Sequence, residues 1–294
     1  MQTIMLIRPR QFKLTRIAPT PSGYLHLGNA YSFALTAAIA QNTGANILLR
    51  IDDLDRDRVE TSYVNDIFDT LTFLGIPWHH GPQNSDEYKN RWSQLCRLDI
   101  YLPAIDKLAQ GGNLFACTCS RKQLQTPGYV CTCANKNTPL DTPNAAWRIR
   151  TDQRVLTINT LEQGPIQSTV PADMKNFIIR KKDGYPAYQL TSLLDDIYFG
   201  VDLIVRGEDL WPSTIAQHYL ASVLNIPSFS QITFHHHKLL MTDTDTKLSK
   251  SAGSTSIQHI RRQGLTSTNL YNQIGRMLSS ANILSHWSDL SHNL

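Results

Sequence analysis

The sequence predicts an α/β fold built on a parallel sheet and interrupted by a mixed insertion. Three stretches carry that prediction. Lys13–Asp57 reads as strand, Pro- and Gly-rich turn, helix and strand, the order in which parallel strands are connected. Leu203–Arg206 (LIVR) is a second short apolar run ending in charge, the pattern of a strand buried on both faces. Between them, Ala145–Arg150, Val155–Asn159 and Asn176–Lys181 are short strand-like runs with an Asp183-Gly184 turn, which fit an insertion better than a continuation of the parallel sheet.

In the opening stretch, Lys13–Ala18 tends to an apolar, extended run, and Pro19, Pro21 and Gly23 then forbid a regular element. From Asn29 the pattern turns helical, with Ala30, Phe33, Ala34, Ala37, Ala38 and Gln41 on one face and Gly44 as the stop. Asn46–Ile51 is the expected partner strand. A helix that begins after a Gly-containing loop points N–H groups and the positive end of its dipole outward, which suits phosphate. His26 adds a donor there, and Gly28 lets a ligand approach the backbone. Alone, a His-x-Gly turn signals little more than an ordinary βαβ unit with a surface histidine.

Further along, Val59–Leu74 is amphipathic, with Val64, Ile67, Phe68, Leu71 and Leu74 on one side, and Gly75-Ile76-Pro77 ends it. His79-His80 falls in a loop with no third ligand spaced nearby and reads as solvated. Tyr88–Gln110 is expected as one long helix, softened near Pro103 and ended by Gly111-Gly112. Tyr188–Asp196 and Pro212–Leu224 are expected helices. Arg206 stands at the carboxyl end of its strand, where open α/β sheets bind ligands; Glu208 and Asp209 offer it a structural role instead. Phe234–His237 continues through Leu239–Met241 as a strand, whose alternation keeps three consecutive histidines off one ion. After an Asp243–Asp245 turn comes Lys247-Leu248-Ser249-Lys250-Ser251, two lysines three apart in a small polar loop, which suits a clamp on a polyphosphate. Ile257–Arg262 and Leu270–Leu278 are helical.

Composition bounds the function. The chain has 294 residues, of which 41% are hydrophobic, enough for a sizeable core. Its 28 basic and 24 acidic residues give a formal charge of +4, which permits nucleic-acid contact without arguing for it. No apolar run is long enough to cross a bilayer, and MQTIMLIRPR lacks the basic start of a secretory signal, so a cytoplasmic protein without a membrane partner is expected. Of five cysteines, Cys117, Cys119, Cys131 and Cys133 form two C-T-C pairs. Thiols clustered in a reducing compartment point to a metal knuckle, with zinc the expected ion.

Two phosphate-type loops, His26-Leu27-Gly28-Asn29 and Lys247-Leu248-Ser249-Lys250-Ser251, thus stand at opposite ends of one α/β chain. The pair resembles the two signatures of class I aminoacyl-tRNA synthetases. Arg16-Ile17-Ala18-Pro19-Thr20-Pro21-Ser22-Gly23, Arg50-Ile51-Asp52-Asp53-Leu54-Asp55 and Val205-Arg206-Gly207-Glu208-Asp209-Leu210 resemble its glutamate-specific branch. Only residues 252–294 follow the second signature, fewer than that branch's helical anticodon-binding region occupies. With C-T-C-S-R and a Tyr…Cys pair, the chain is similar to the glutamyl-queuosine tRNA(Asp) synthetase family.

The resemblance implies a Rossmann-type parallel-sheet catalytic domain with a small zinc-containing mixed α/β insertion. Residues 1–110 would form its first half, 111–185 a zinc-binding, acceptor-type insertion, 186–255 the second half with the lysine loop, and 256–294 a short helical tail. It implies tRNA-independent activation of glutamate by ATP with Mg²⁺, then transfer of glutamate to queuosine in the anticodon of tRNA(Asp), by a monomer. Carried over by position, the glutamate pocket falls on Arg16, Ala18, Thr20, Asp52, Tyr188 and Arg206, with Asp52 where the family usually has Glu. ATP falls to His26, Gly28, Asn29 and Lys250, and catalysis to His26, Lys247 and Lys250. The zinc ligands fall on Cys117, Cys119, Tyr129 and Cys133; Cys131 stands where the family usually has Gly and can substitute for Tyr129. Three other readings compete. The first is a truncated glutamyl-tRNA synthetase charging a tRNA 3′ end, and the second a catalytically retired RNA-binding paralogue. The third is a nucleotidyltransferase for a small carboxylate that shares the His-x-Gly turn.

Overall fold

The computed structural model describes residues 11–241, 256–280 and 283–293. The chain divides into two compact units: Met1–Ser93, Val201–Glu208 and His235–Leu294 form the first, and Gln94–Gly200 with Asp209–Phe234 form the second.

The first unit opens with β1 (Leu14–Ile17), α1 (Leu27–Thr43) and β2 (Asn46–Leu49). β1 and β2 pair in parallel, Leu14 opposite Asn46 and Ile17 opposite Leu49, as the apolar runs predict. The ladder continues past the strands, because Arg50 N–H donates to Ile17 O and Asp52 N–H to Pro19 O, both at 2.9 Å. α1 begins at Leu27, two residues before the expected start, because His26 caps it. Gly44 stops it in the left-handed conformation at φ 76°. Of the predicted face, Ala30, Phe33, Ala34, Ala37 and Ala38 are buried and Gln41 is exposed; Tyr31, Leu35, Ile39 and Ala40 are also buried. Such a helix is covered nearly all round, which small alanine side chains permit.

α2 (Thr61–Leu74) follows, with Val64, Ile67, Leu71 and Leu74 buried. Gly81, in the loop after it, has φ 105°, and a Cβ there would lie 2.3 Å from Leu49 O, so no other residue fits without moving the sheet. The loop's His79 and His80 are exposed, as expected, although His79 Nδ1 also accepts from Ile47 N–H at 3.0 Å.

The single long helix expected over Tyr88–Gln110 is not formed. A short α3 (Ser85–Glu87) runs into a π turn at Tyr88–Trp92, and after a 3₁₀ turn at Gln94–Arg97 comes α4 (Leu98–Gln110). The break is at Ser93, which is extended, whereas Pro103 lies inside α4. Side chains set that break: Tyr88 Oη and Ser93 Oγ both donate to the buried Asp53 carboxylate, at 2.7 and 2.5 Å.

In the second unit, β3 (Leu114–Cys117), α5 (Arg121–Gln125), β4 (Ala146–Ile149), β5 (Leu156–Thr160), β6 (Gly164–Ser168), β7 (Ile178–Arg180) and α6 (Tyr188–Phe199) follow in order. β3, β4 and β7 form an antiparallel sheet, as expected of an insertion, but β5, read from the sequence as lying outside the parallel sheet, pairs in parallel with Thr233 and Phe234 through Asn159 and Thr160. β5 and β6 form an antiparallel hairpin. β6 was not foreseen because Gly164 and Pro165 open it, and such residues read as turn unless the strand lies at a sheet edge.

The chain returns to the first unit for β8 (Leu203–Gly207), enters the second for α7 (Trp211–Leu224), and crosses back along β9 (Thr233–His237). β9 ends at His237, short of the Met241 expected from its apolar continuation. Asp202 ties β8 to β1: its N–H donates to Leu14 O at 3.0 Å, and its carboxylate accepts from Lys13 and Leu14 N–H. α8 (Ile257–Arg262) and α9 (Ser267–Met277) close the first unit. Leu270, Ile274, Leu284 and Leu290 are buried. Tyr271 Oη and Trp287 Nε1 donate to Leu74 O and Gly75 O, each at 2.8 Å, capping carbonyls that the end of α2 leaves free. No helix among the described residues is long and apolar enough to cross a membrane.

Candidate functional site

The first unit places five of the residues singled out in the sequence, Arg16, Ala18, Thr20, Asp52 and Arg206, on or just beyond β1, β2 and β8. Arg16 lies on β1, Arg206 on β8 and Asp52 just beyond β2, and all three are buried. Arg16 Nη1 donates to Val205 O at 3.2 Å, which brings its guanidinium to the backbone beside Arg206. Asp52 is held by Arg50, Nε to one carboxylate oxygen at 2.7 Å and Nη2 to the other at 3.0 Å. Ala18 and Thr20 are half-buried on the turn after β1. Arg16, Arg50 and Arg206 are all buried, and guanidinium groups offer forked donors suited to carboxylates.

His236 is a member that the sequence did not single out. Burial and the neighbouring charges of Arg206, His235, His237 and Arg16 push its imidazole down to about 3, so it is neutral and able to both donate and accept. Strand alternation carried a faint signal, since it separates His236 from the histidines on either side. His237 is engaged elsewhere, with Nε2 at 3.0 Å from Ser32 Oγ and Nδ1 at 2.9 Å from Lys238 O.

The His26 turn is built with its donors partly committed. His26 Nδ1 accepts from Gly28 N–H at 3.1 Å, and Asn29 Oδ1 accepts from His26 N–H at 3.1 Å, a reciprocal cap on α1. With Nδ1 accepting, the neutral tautomer carries its proton on Nε2. Gly28 makes room for this, because a Cβ there would lie 3.0 Å from the ring. Ser256 forms an antiparallel bridge with His26, and Ile257 N–H donates to Leu25 O at 2.8 Å. Lys247 and Lys250 lie outside the described residues. Tyr188 is the first residue of α6 in the second unit and is partly exposed.

The second unit holds the cysteine cluster. β3 brings Cys117, the following turn Cys119, and the returning loop Cys131 and Cys133. Their four sulfurs lie within 4.8 Å of one another. Cys119 Sγ is 3.5 Å from Cys133 Sγ and 3.7 Å from Cys131 Sγ, which is 3.7 Å from Cys117 Sγ. A tetrahedron with Zn–S bonds of about 2.3 Å has edges of about 3.8 Å, so the donor set fits such an ion. Tyr129 Oη lies 3.1 Å from Cys119 Sγ. That hydrogen bond, with burial, pushes the phenol up to about 12, which keeps it a donor to sulfur.

A family profile described as tRNA synthetases class I (E and Q), catalytic domain, matches residues 14–285. A protein of Nitratidesulfovibrio vulgaris named Glutamyl-Q tRNA(Asp) synthetase is 33% identical over 272 residues, 87% of this chain and 83% of its own length. A Syntrophus aciditrophicus protein named Glutamate–tRNA ligase 2 is 29% identical over 90% of this chain, which spans only 57% of that relative's length. Among solved structures, the glutamate–tRNA synthetase of Elizabethkingia anophelis superposes with a TM-score of 0.72 over 94% of this chain and 67% of its own, at 19% identity, a likeness of fold.

Proposed function

From the premise that the chain belongs to the catalytic-domain family of class I tRNA synthetases for glutamate and glutamine, we propose that it activates glutamate with ATP and transfers it to queuosine in the anticodon of tRNA(Asp). The observation that carries the amino-acid half is the buried Arg16, Arg206 and Asp52 at the strand ends, a set with forked donors for carboxylates and an acceptor for an ammonium. Ala18 and Thr20 complete the proposed pocket within the first unit. In the first step the glutamate α-carboxylate attacks the α-phosphorus of ATP, which enters with Mg²⁺, and pyrophosphate leaves. The protein's work is then positioning and charge stabilisation. His26 Nε2–H, with the turn at Gly28 and Asn29, serves the phosphates, and Lys250 with Lys247 serves the departing pyrophosphate. Support for that pairing comes from Ser256, six residues beyond Lys250, which bridges His26.

The RNA half is supported by the relative's name and by charge. Residues 111–185 carry ten basic and five acidic residues, and the remainder of the chain 18 and 19. The whole positive excess therefore sits in the insertion, as binding of a polyanion would require. Labelled glutamate is expected to enter tRNA(Asp) containing queuosine, in the anticodon fragment after nuclease cleavage, and not tRNA(Asp) lacking it. Label at the 3′ end instead would favour a glutamyl-tRNA synthetase activity.

The cysteine cluster is proposed as a structural zinc site of Cys117, Cys119, Cys131 and Cys133, with Tyr129 donating to Cys119. Thiolate is the better ligand than a phenol held protonated. The protein is expected to carry about one zinc per chain by elemental analysis, lost in Cys131→Ser and kept in Tyr129→Phe. The reverse pattern would give the fourth position to Tyr129.

A further inference from the structure

Asp52 and Asp53 are consecutive, both buried, and committed to different tasks. Asp53 accepts from Tyr88, Ser93 and Arg56 and holds the chain at its Ser93 break. Asp52 accepts a two-point fork from Arg50, two residues earlier in the chain. Arg50 is 2% and Asp52 6% exposed, so neither swings into solvent, and the backbone N–H groups of both are fixed on Ile17 O and Pro19 O. An aspartate has one carbon between backbone and carboxylate. With its backbone on the ladder and both oxygens in a planar fork, its carboxylate has a single orientation. A carboxylate has about four lone-pair sites, of which the fork engages one on each oxygen.

We propose that Arg50 is a positioning residue for the amino-acid ammonium, acting through Asp52. Arg50 aims the Asp52 carboxylate and supplies the countercharge that lets it stay buried as an anion before the ligand arrives. This rests on the reading of Asp52 as part of a glutamate pocket. The two residues are a unit in which the fork fixes the orientation of the shorter acidic side chain. A positioned aspartate can then serve where a longer, self-supporting glutamate would otherwise be needed.

The test compares glutamate with glutarate, which keeps both carboxylates and lacks the ammonium. Binding of each to the full chain is measured by calorimetry, alongside KM for ATP in pyrophosphate exchange. In Arg50→Met the ratio of glutamate to glutarate affinity is expected to fall about tenfold or more, from loss of an oriented, charge-assisted contact, while glutarate affinity and KM for ATP stay within about twofold. Arg50→Lys, which keeps the charge without the planar fork, is expected between the two and serves if the methionine variant does not fold. Equal weakening of both ligands, or no change in either, would overturn the proposal and leave the glutamate reading standing. A wild-type protein that binds neither ligand would sink that reading and this one with it.

Discussion

Arg206→Leu is expected to lower kcat/KM for glutamate in ATP–pyrophosphate exchange by about 10²- to 10³-fold. Arg206 is buried on β8, whose other residues are all buried as well. Leucine suits such a strand, so the fold should persist and the loss should fall on the ligand. A hydrogen bond to a charged group contributes about 1.5–3 kcal/mol, and a fork supplies two. Each 1.36 kcal/mol is tenfold in rate. KM for ATP should change little, because the proposed nucleotide contacts lie at His26 and the lysine loop. Arg206→Lys should recover only part of the activity, since an ammonium cannot reproduce a planar fork. A variant that exchanges pyrophosphate with glutamate at the wild-type rate would remove Arg206 from the pocket.

Asp195→Ala is expected to destabilise the second unit by about 3–5 kcal/mol, the usual cost of breaking a buried ion pair by removing one partner. Asp195 is fully buried on α6. Its carboxylate accepts from Gln94 Nε2 at 3.0 Å, Arg97 Nε at 2.7 Å, Arg97 Nη2 at 3.0 Å and Tyr101 Oη at 2.6 Å. Removing it takes a forked carboxylate acceptor away from a buried guanidinium and a buried phenol. The exposed pair of Arg154 and Asp152 is equally short at 2.6 Å, yet Asp152→Ala should cost no more than about 1 kcal/mol, because solvent screens it. Urea unfolding separates the two. Equal midpoints for both variants would mean that the buried network does not hold α4 to α6.

Both variants act on features that differ in how well the sequence revealed them. The β1–α1–β2 unit was legible because apolar runs, a Pro/Gly turn and a stopping glycine all point the same way. The break at Ser93 was not, because it depends on Asp53, forty residues earlier in the chain, and no local pattern encodes that partner. β6 was hidden by its Gly-Pro opening. Arg16, Asp52 and Arg206 in the first unit and the cysteines in the second were visible as motifs. What they touch was not: the Arg50 fork on Asp52, the His26 ring on Gly28 N–H and the company of His236 are products of tertiary packing. Residue type announces chemistry, and the fold decides which donors are already committed.

The activity proposed for this chain is formation of glutamyl-adenylate without RNA. It is tested most directly by ATP–pyrophosphate exchange with single amino acids and no RNA. Exchange is expected to depend on glutamate and to be absent with aspartate or glutamine. Exchange with aspartate alone, or none with any amino acid, would contradict it.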